Sequence, residues 1–154
     1  VKMMKKLENI KPNKNDKRPI AKFYRSWLQD VENGVADNKC RGINTEQYRA
    51  ADRLSNSYQR SFMTGGWNPE EVSLKPDYFR CHRTEIQVQS LHEFNLVFKQ
   101  IGARSKQIIE HFCINEQTMR SYELGQIPQW PKGAGTVRLR EALDELIEVY
   151  RHVN

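Results

Sequence analysis

The residues of this chain best suited to bind a ligand are the cations between Trp130 and Arg140. This segment reads WPKGAGTVRLR and contains Lys132, Arg138 and Arg140 beside two glycines and a threonine. Lys and Arg bind phosphate oxygens, and Arg can also form two hydrogen bonds to the edge of a guanine. The chemistry that this segment offers is therefore anion recognition, with a nucleic acid as the most direct partner.

A helix must position these cations. Leu139, Leu143 and Leu146 recur at helical spacing and predict a helix from about residue 134 to residue 151. Its start is basic and carries the positive end of the helix dipole, which favours anions. Its later turns are acidic and would repel phosphate. The start of this helix is therefore the part expected to approach DNA.

The preceding elements have the order of a helix-turn-helix unit. Short helices are predicted at about 105–112 and 115–124, the second capped by Asn115, and a connector at 126–135 leads into the last helix. In such a unit the second helix of the pair lies in the major groove and contacts bases with its N-terminal residues. We therefore predict a helix-turn-helix-like unit over about 105–152.

The predicted DNA contacts divide by chemistry. Thr136 and Arg138 suit base edges, whereas Lys132 and the backbone amides near Gly133 suit phosphates. Flanking phosphate contacts are assigned to Arg140, Arg120 and Lys106. The alternative is that the cations form a solvated helix face, with Arg138 paired to a carboxylate such as Glu141. The DNA hypothesis requires that the start of the last helix lies free, with its cations facing outward.

The rest of the chain predicts further helices and no strand. Helices are expected at about 20–33 and 84–101. A third should begin with a capping box formed by Asn44 and Gln47 and end at Gly65-Gly66. The predicted fold class is all-α, a compact helical domain.

The net charge of +6 is concentrated at the N-terminus. Residues 1–22 contain eight Lys or Arg and two acidic residues, so the remainder is neutral. Lys, Asn and Pro dominate residues 1–19, which predicts a disordered basic tail before a single domain at 20–154. Such a tail attracts nucleic acid without sequence preference, or acts only as a solvating arm.

Several functional classes find no support in the sequence. A Gly-rich phosphate loop, a nucleophile elbow and a kinase signature are absent, so we expect neither an enzyme nor a cofactor. Cys81-His82 and the pair His111 and Cys113 lack the usual spacing of zinc ligands, so we expect no metal. The cysteine count is odd, and neither a membrane-spanning run nor a secretory signal is found, so we expect a cytoplasmic protein.

Two segments resemble a known bacterial domain. The first is NTEQYRAADRL at residues 44–54, followed by Tyr58 and Trp67, and the second extends from Met119 to Tyr150. They are similar to the helical domain that forms the C-terminal part of the bacterial gene-transfer-agent activator and occurs alone in related phage-type regulators. The resemblance covers roughly residues 20–152. It implies control of transcription, possible involvement of phage-derived genes, contact with RNA polymerase and no enzymatic role.

Two functional hypotheses follow from the sequence. The first is a transcription activator that binds double-stranded DNA through the start of the last helix, as a homodimer if its target is palindromic. The second is a protein-contact module that docks on RNA polymerase or another regulator without reading DNA sequence. The neutral charge of residues 23–154 favours the second hypothesis, and the basic residues of the last helix favour the first.

Overall fold

A computed structural model describes residues 14–62 and 85–153. These ranges form helices and no strand, so the all-α prediction is confirmed for the part of the chain they cover. The predicted helix end at Gly65-Gly66, the aromatic residue Trp67 and the Cys81-His82 pair lie outside the described residues. The six α-helices are α1 Pro19–Glu32, α2 Thr45–Phe62, α3 Glu85–Gln100, α4 Ala103–Ile109, α5 Met119–Leu124 and α6 Ala134–Val153.

An ion-pair network anchors the chain just before α1. The guanidinium of Arg18 lies 2.7 Å from Asp16 and 2.8 Å from Asp52 of α2. The hydrogen bond from Arg18 is the main reason that the pKa of Asp16 lies below its ordinary value. Asp16 and Arg18, which the sequence analysis assigns to the tail, are thus bonded to the domain.

The start of α2 has the predicted capping box. The backbone N–H of Asn44 donates to the side-chain oxygen of Gln47 at 3.0 Å, and the N–H of Gln47 donates back to Asn44 Oδ1 at 2.9 Å. This exchange satisfies two of the N–H groups that a helix start leaves without partners. The Gln47 amide also donates to Asp144 of α6 at 2.9 Å, so the same residue connects two helices.

The core is organised around α6, which packs against α2, α3, α4 and α5. Its inner face has the predicted helical spacing, with Leu139, Leu143 and Leu146 fully buried. Partners of this face include Leu54, Val97, Ile108, Ile109 and Phe112. Burial of a large aliphatic side chain contributes about 1.5–3 kcal/mol, so this face stabilises the fold. The position of α6 thus determines where the shorter helices sit.

Nine residues separate α4 from α5, and only the last four, 115–118, lie outside helical structure. A π-helical turn at Glu110–Ile114 extends α4, and Glu116 then adopts the left-handed conformation with φ of 56°. The predicted cap at Asn115 is wrong, because that residue still has helical dihedral angles. Thr118 has the extended backbone that an N-cap needs, and its hydroxyl oxygen accepts from the N–H of Ser121 at 3.2 Å.

The loop between α1 and α2 lies unusually close to α1. Gly42 has a φ of 72°, and a Cβ atom added there would collide with the carbonyl oxygen of Phe23. Gly34 has a similar φ of 79°, but no heavy atom lies within 4 Å of the corresponding position. Both sites favour glycine through their backbone conformation, and Gly42 alone also needs the absence of a side chain.

These two glycines form a matched pair for testing the close approach. Gly34→Ala should lower the free energy of unfolding by about 1–2 kcal/mol, which is the cost of a left-handed Ala. Gly42→Ala should lower it by roughly 3 kcal/mol or more, because the loop must also move away from α1. Urea denaturation of both variants measures the difference. Equal losses would show that the Phe23 contact imposes no constraint.

Candidate nucleic-acid interface

A carboxylate from α5 closes the start of α6. The N–H groups of Gly133 and Gly135 both donate to Glu123 Oε2, each at 2.8 Å. Glu123 is only 2% exposed. These two amides therefore already hold an anion belonging to the protein. The amides near Gly133, predicted to bind a DNA phosphate, are therefore occupied within the domain.

The same helix start is packed against α5. A Cβ atom added to Gly135 would lie 2.5 Å from Met119 Sδ and 2.9 Å from Glu123 Cγ. Gly135 thus allows α5 to cross α6 at short range. The start of α6 is a buried contact between helices and not a free end.

Two of the predicted DNA-binding arginines are held within the domain. Arg138 lies 3.1 Å from Glu141 and donates to Ser105 Oγ at 3.3 Å. Arg140 donates to the carbonyl oxygens of Gly42 at 2.7 Å and Cys40 at 2.9 Å. The expectation that both face outward and are free is wrong. Arg140 instead holds the loop at 40–42 against α6.

The other predicted contacts are distributed over several elements. Lys132 is exposed and has no ion pair among the described residues. Thr136 is half-buried, and Lys106 lies over the ring of Phe98 at 5.7 Å from its centroid. Arg120 is 49% exposed and makes only one long contact to a carboxylate, 3.4 Å from Glu123. Of the seven predicted residues, the structure brings Gly133, Thr136 and Arg140 together on one groove.

The short helix α5 has an exposed polar face that the sequence analysis missed. Gln117, Thr118, Arg120 and Ser121 are all exposed, and Leu124 follows them with 45% exposure. The opposite face is buried through Met119 and Glu123. The spacing of four residues from Arg120 to Leu124 and of three from Ser121 to Leu124 is the signal that could have identified this face.

His111 holds the N-terminal end of α5 against the π-helical turn. Its Nε2 atom lies 2.9 Å from the carbonyl oxygen of Thr118 and 2.9 Å from Ser121 Oγ. Its ring also meets the ring of Tyr122 edge-on at 5.2 Å. Because π-helical turns often occur at functional sites, the turn at 110–114 favours a functional role for the polar face beside it.

A small basic groove lies on the other side of the α6 start. Its volume is about 430 Å³, and the loop at 38–42 forms one wall and the first turn of α6 the other. Its cations are Lys39, Arg41 and Arg140, and no described residue that lines it is acidic. This groove suits an anion.

A second groove, of about 800 Å³, has mixed charge. It lies between α2, α3 and the end of α6, and four arginines alternate there with three carboxylates. Arg53 is paired with Glu93 at 2.8 Å and lies over the ring of Tyr150 at 4.4 Å from its centroid. Because three carboxylates offset most of the charge of the four arginines, this groove attracts an anion less than the basic groove does. The four arginines are Arg49, Arg53, Arg60 and Arg151, and the carboxylates are Glu46, Asp52 and Glu93.

Comparisons with family models, curated proteins and solved structures find no match to this chain. The resemblance to the gene-transfer-agent activator domain therefore stays a prediction. In the described ranges, no helix is long and apolar enough to cross a membrane. The same ranges contain no group of three or more His, Cys, Asp or Glu residues that could hold a metal ion.

Glu123 should be the carboxylate whose loss disturbs the interface most. We expect Glu123→Ala to lower the free energy of unfolding by roughly 2–4 kcal/mol, because two charge-assisted hydrogen bonds disappear and a cavity forms. Glu141→Ala is the matched control, since Glu141 is 64% exposed, and should change stability by less than about 0.5 kcal/mol. Urea denaturation compares them, and similar values would contradict the capping role.

Glu145 should make stability depend on pH. Its carboxylate accepts from Ser105 Oγ at 2.6 Å and from the N–H of Gly102 at 2.8 Å. The Ser105 bond is the main cause that lowers the pKa of Glu145 from its ordinary value of 4.5. Since the folded pKa is depressed, its stabilisation is present above the unfolded pKa and lost as pH falls through the folded value.

We therefore expect Glu145→Gln to be less stable than the parent at pH 7 and to lose less stability on acidification. Denaturant unfolding at pH 7 and at about pH 3.5 gives this comparison. Asp16 and Asp30 also have lowered pKa values and remain as a common background in both proteins. If the variant and the parent lose the same free energy of unfolding between the two pH values, Glu145 does not cause the pH dependence.

Proposed function

We propose that this protein is a transcription regulator that binds double-stranded DNA through α5. The helix-turn-helix unit would consist of α4 with its π-helical turn, the turn at 115–118 and α5. A turn of this length is usual in such units, and their second helix presents its N-terminal residues to the bases. The nine-residue connection at 125–133 is longer than such a turn, which argues against α6 as the second helix.

The single observation that carries this proposal is the exposed polar face of α5. Gln can bind adenine with two hydrogen bonds, Arg can bind guanine in the same way, and Ser or Thr can bind several base edges. Arg120 and Ser121 on the first turn of α5 and Gln117, two residues before it, supply this set beside a helix face that is buried. Gln117 donates to the carbonyl oxygen of Asn115 and Ser121 to that of Thr118, and a base edge would replace these exposed local hydrogen bonds. The long hydrogen bonds of Arg120, at 3.4 and 3.5 Å, are weak and leave its guanidinium available to a base.

The remaining cations fit backbone contacts on either side of α5. Lys106 lies on α4, before the turn, and Lys132 lies in the connection that follows α5. Phosphate contacts position a protein on the duplex without reading its sequence. The resemblance of residues 119–150 to a gene-transfer-agent activator domain supports control of transcription as the biological setting. A palindromic target would require a homodimer.

A second candidate function is docking on RNA polymerase or another regulator. It is favoured by exposed apolar side chains close to α5, since Ile127 is 99% exposed and Leu124 is 45% exposed. Neighbouring exposed apolar side chains are a feature of protein interaction sites when they form a continuous patch. In this case the polar face of α5 would be the rim of a protein interface.

Substitutions on α5 test the first proposal. After selection of a binding site from random duplexes, Gln117→Ala and Arg120→Ala should each weaken binding to that site by about 5- to 150-fold, because one bidentate base contact is lost. Gln117→Ala leaves the charge unchanged, so its weak non-specific binding should equal that of the parent. Arg151→Ala is the control for charge, since Arg151 lies at the far end of α6.

Titrations at two salt concentrations separate base reading from electrostatic attraction. Selective loss in both α5 variants, with full binding by Arg151→Ala, supports the proposal. If the parent selects no duplex but captures purified RNA polymerase, and Ile127→Ser abolishes that capture, the docking function replaces it. Circular dichroism of each variant shows whether the helical fold is retained.

A further inference from the structure

The basic groove beside the α6 start has more positive charge than the carboxylates around it neutralise. Lys39 is exposed and has no ion pair among the described residues. Arg41 is 68% exposed and shares one edge of its guanidinium with the buried Asp30, at 3.0 Å. Arg140 donates to carbonyl oxygens and not to a carboxylate. One buried carboxylate thus faces three cations.

Acidic groups near the groove do not cancel this excess. Asp30 is only 7% exposed and lies beneath Arg41, where it also accepts from the Arg41 backbone N–H at 2.7 Å. Asp37 lies in the same 3-10 turn as Lys39 but does not line the groove. The lining is otherwise polar or apolar, so an anion entering it meets cations first.

Hydrogen bonds and one close backbone contact hold the walls of the groove together. Asp30 holds Arg41, and Arg140 holds the carbonyl oxygens of Cys40 and Gly42. Gly42 allows the loop to press against the backbone of Phe23. A binding site that is already ordered loses less conformational entropy when its ligand arrives. The arrangement is therefore suited to a ligand with a fixed geometry.

A short connection joins this groove to α5. Arg120 reaches from α5 to the carbonyl oxygen of Trp130 at 3.5 Å. Lys132 follows two residues later and is exposed, and Gly133 then lines the groove itself. Cations thus continue from the polar face of α5 to the groove. A DNA strand leaving α5 in this direction would meet them in turn.

We infer that the groove formed by residues 38–42 and the first turn of α6 binds a backbone phosphate of DNA that flanks the base pairs contacted by α5. This inference rests on the proposed function. Its ligand is a phosphodiester in the duplex, recognised by Lys39 and the free edge of Arg41. The contact lengthens the DNA footprint without adding any base preference.

Two duplexes that share one core site provide the test. One carries flanking base pairs on both sides, and the other is trimmed to the base pairs that α5 protects. Lys39→Gln should weaken binding to the long duplex by about 3- to 10-fold. It should also lower by about one the slope of log binding constant against log salt concentration, because one fewer counterion is released. It should leave binding to the trimmed duplex unchanged. Lys99→Gln, an exposed lysine on α3, is the control of equal charge.

The outcomes distinguish this inference from the proposed function. If Gln117→Ala weakens binding but Lys39→Gln binds the long duplex like the parent, the groove contact is refuted and the role of α5 stands. Equal losses on both duplexes, or an equal loss in Lys99→Gln, refute the contact as well, because the lysine then acts only through general charge. Failure of the parent to bind either duplex overturns both ideas.

Inorganic tripolyphosphate serves as the probe for a free ligand. If it raises the melting temperature of the parent but not of Lys39→Gln, while both duplexes bind equally, the groove takes a free polyphosphate and the DNA assignment is overturned. If it competes only with the long duplex, the phosphate specificity of the groove supports the DNA assignment.

Discussion

The buried carboxylate of Glu123 is the interaction on which the arrangement around the candidate interface depends. It accepts from the N–H groups of Gly133 and Gly135 and so joins the end of α5 to the start of α6. A six-residue helix is too short to be stable alone, and its orientation must come from such contacts. Gly135 adds the close approach that brings Met119 and Glu123 against α6. The exposed face of α5 is a consequence of this fixed inner face.

Carboxylates that close the helix starts of neighbouring elements recur in this domain. Glu145 of α6 accepts from the backbone N–H of Gly102 and the hydroxyl of Ser105 at the start of α4, as Glu123 does from Gly133 and Gly135 at the start of α6. Free N–H groups and the dipole make a helix start attractive to any anion. When the anion is a carboxylate of the protein itself, the helix start is used to hold two helices together and no longer binds an external anion. Recognition of an external anion then depends on side chains, which here belong to α5 and the 38–42 loop.

The helices and the capping box could be predicted from the sequence because their causes are local. Asn44 and Gln47 are three residues apart, and the inner face of α6 follows from the spacing of Leu139, Leu143 and Leu146. The cap of α5 could not be predicted as easily, since Asn115 and Thr118 are both good capping residues. The structure decides between them, because Asn115 keeps helical dihedral angles and Glu116 then adopts the left-handed conformation.

Which side chains of the candidate site are available for binding does not follow from residues close in sequence. Composition and spacing determined that this chain forms amphipathic helices and that cations precede acidic residues along α6, because both properties are carried by neighbouring residues. Tertiary structure decided which cations are free. Arg140 is used by carbonyl groups about one hundred positions earlier in the chain, and Arg138 by Ser105 of α4. Such partners meet only when distant helices pack, so the availability of a charged side chain is a property of the fold and not of its sequence neighbours.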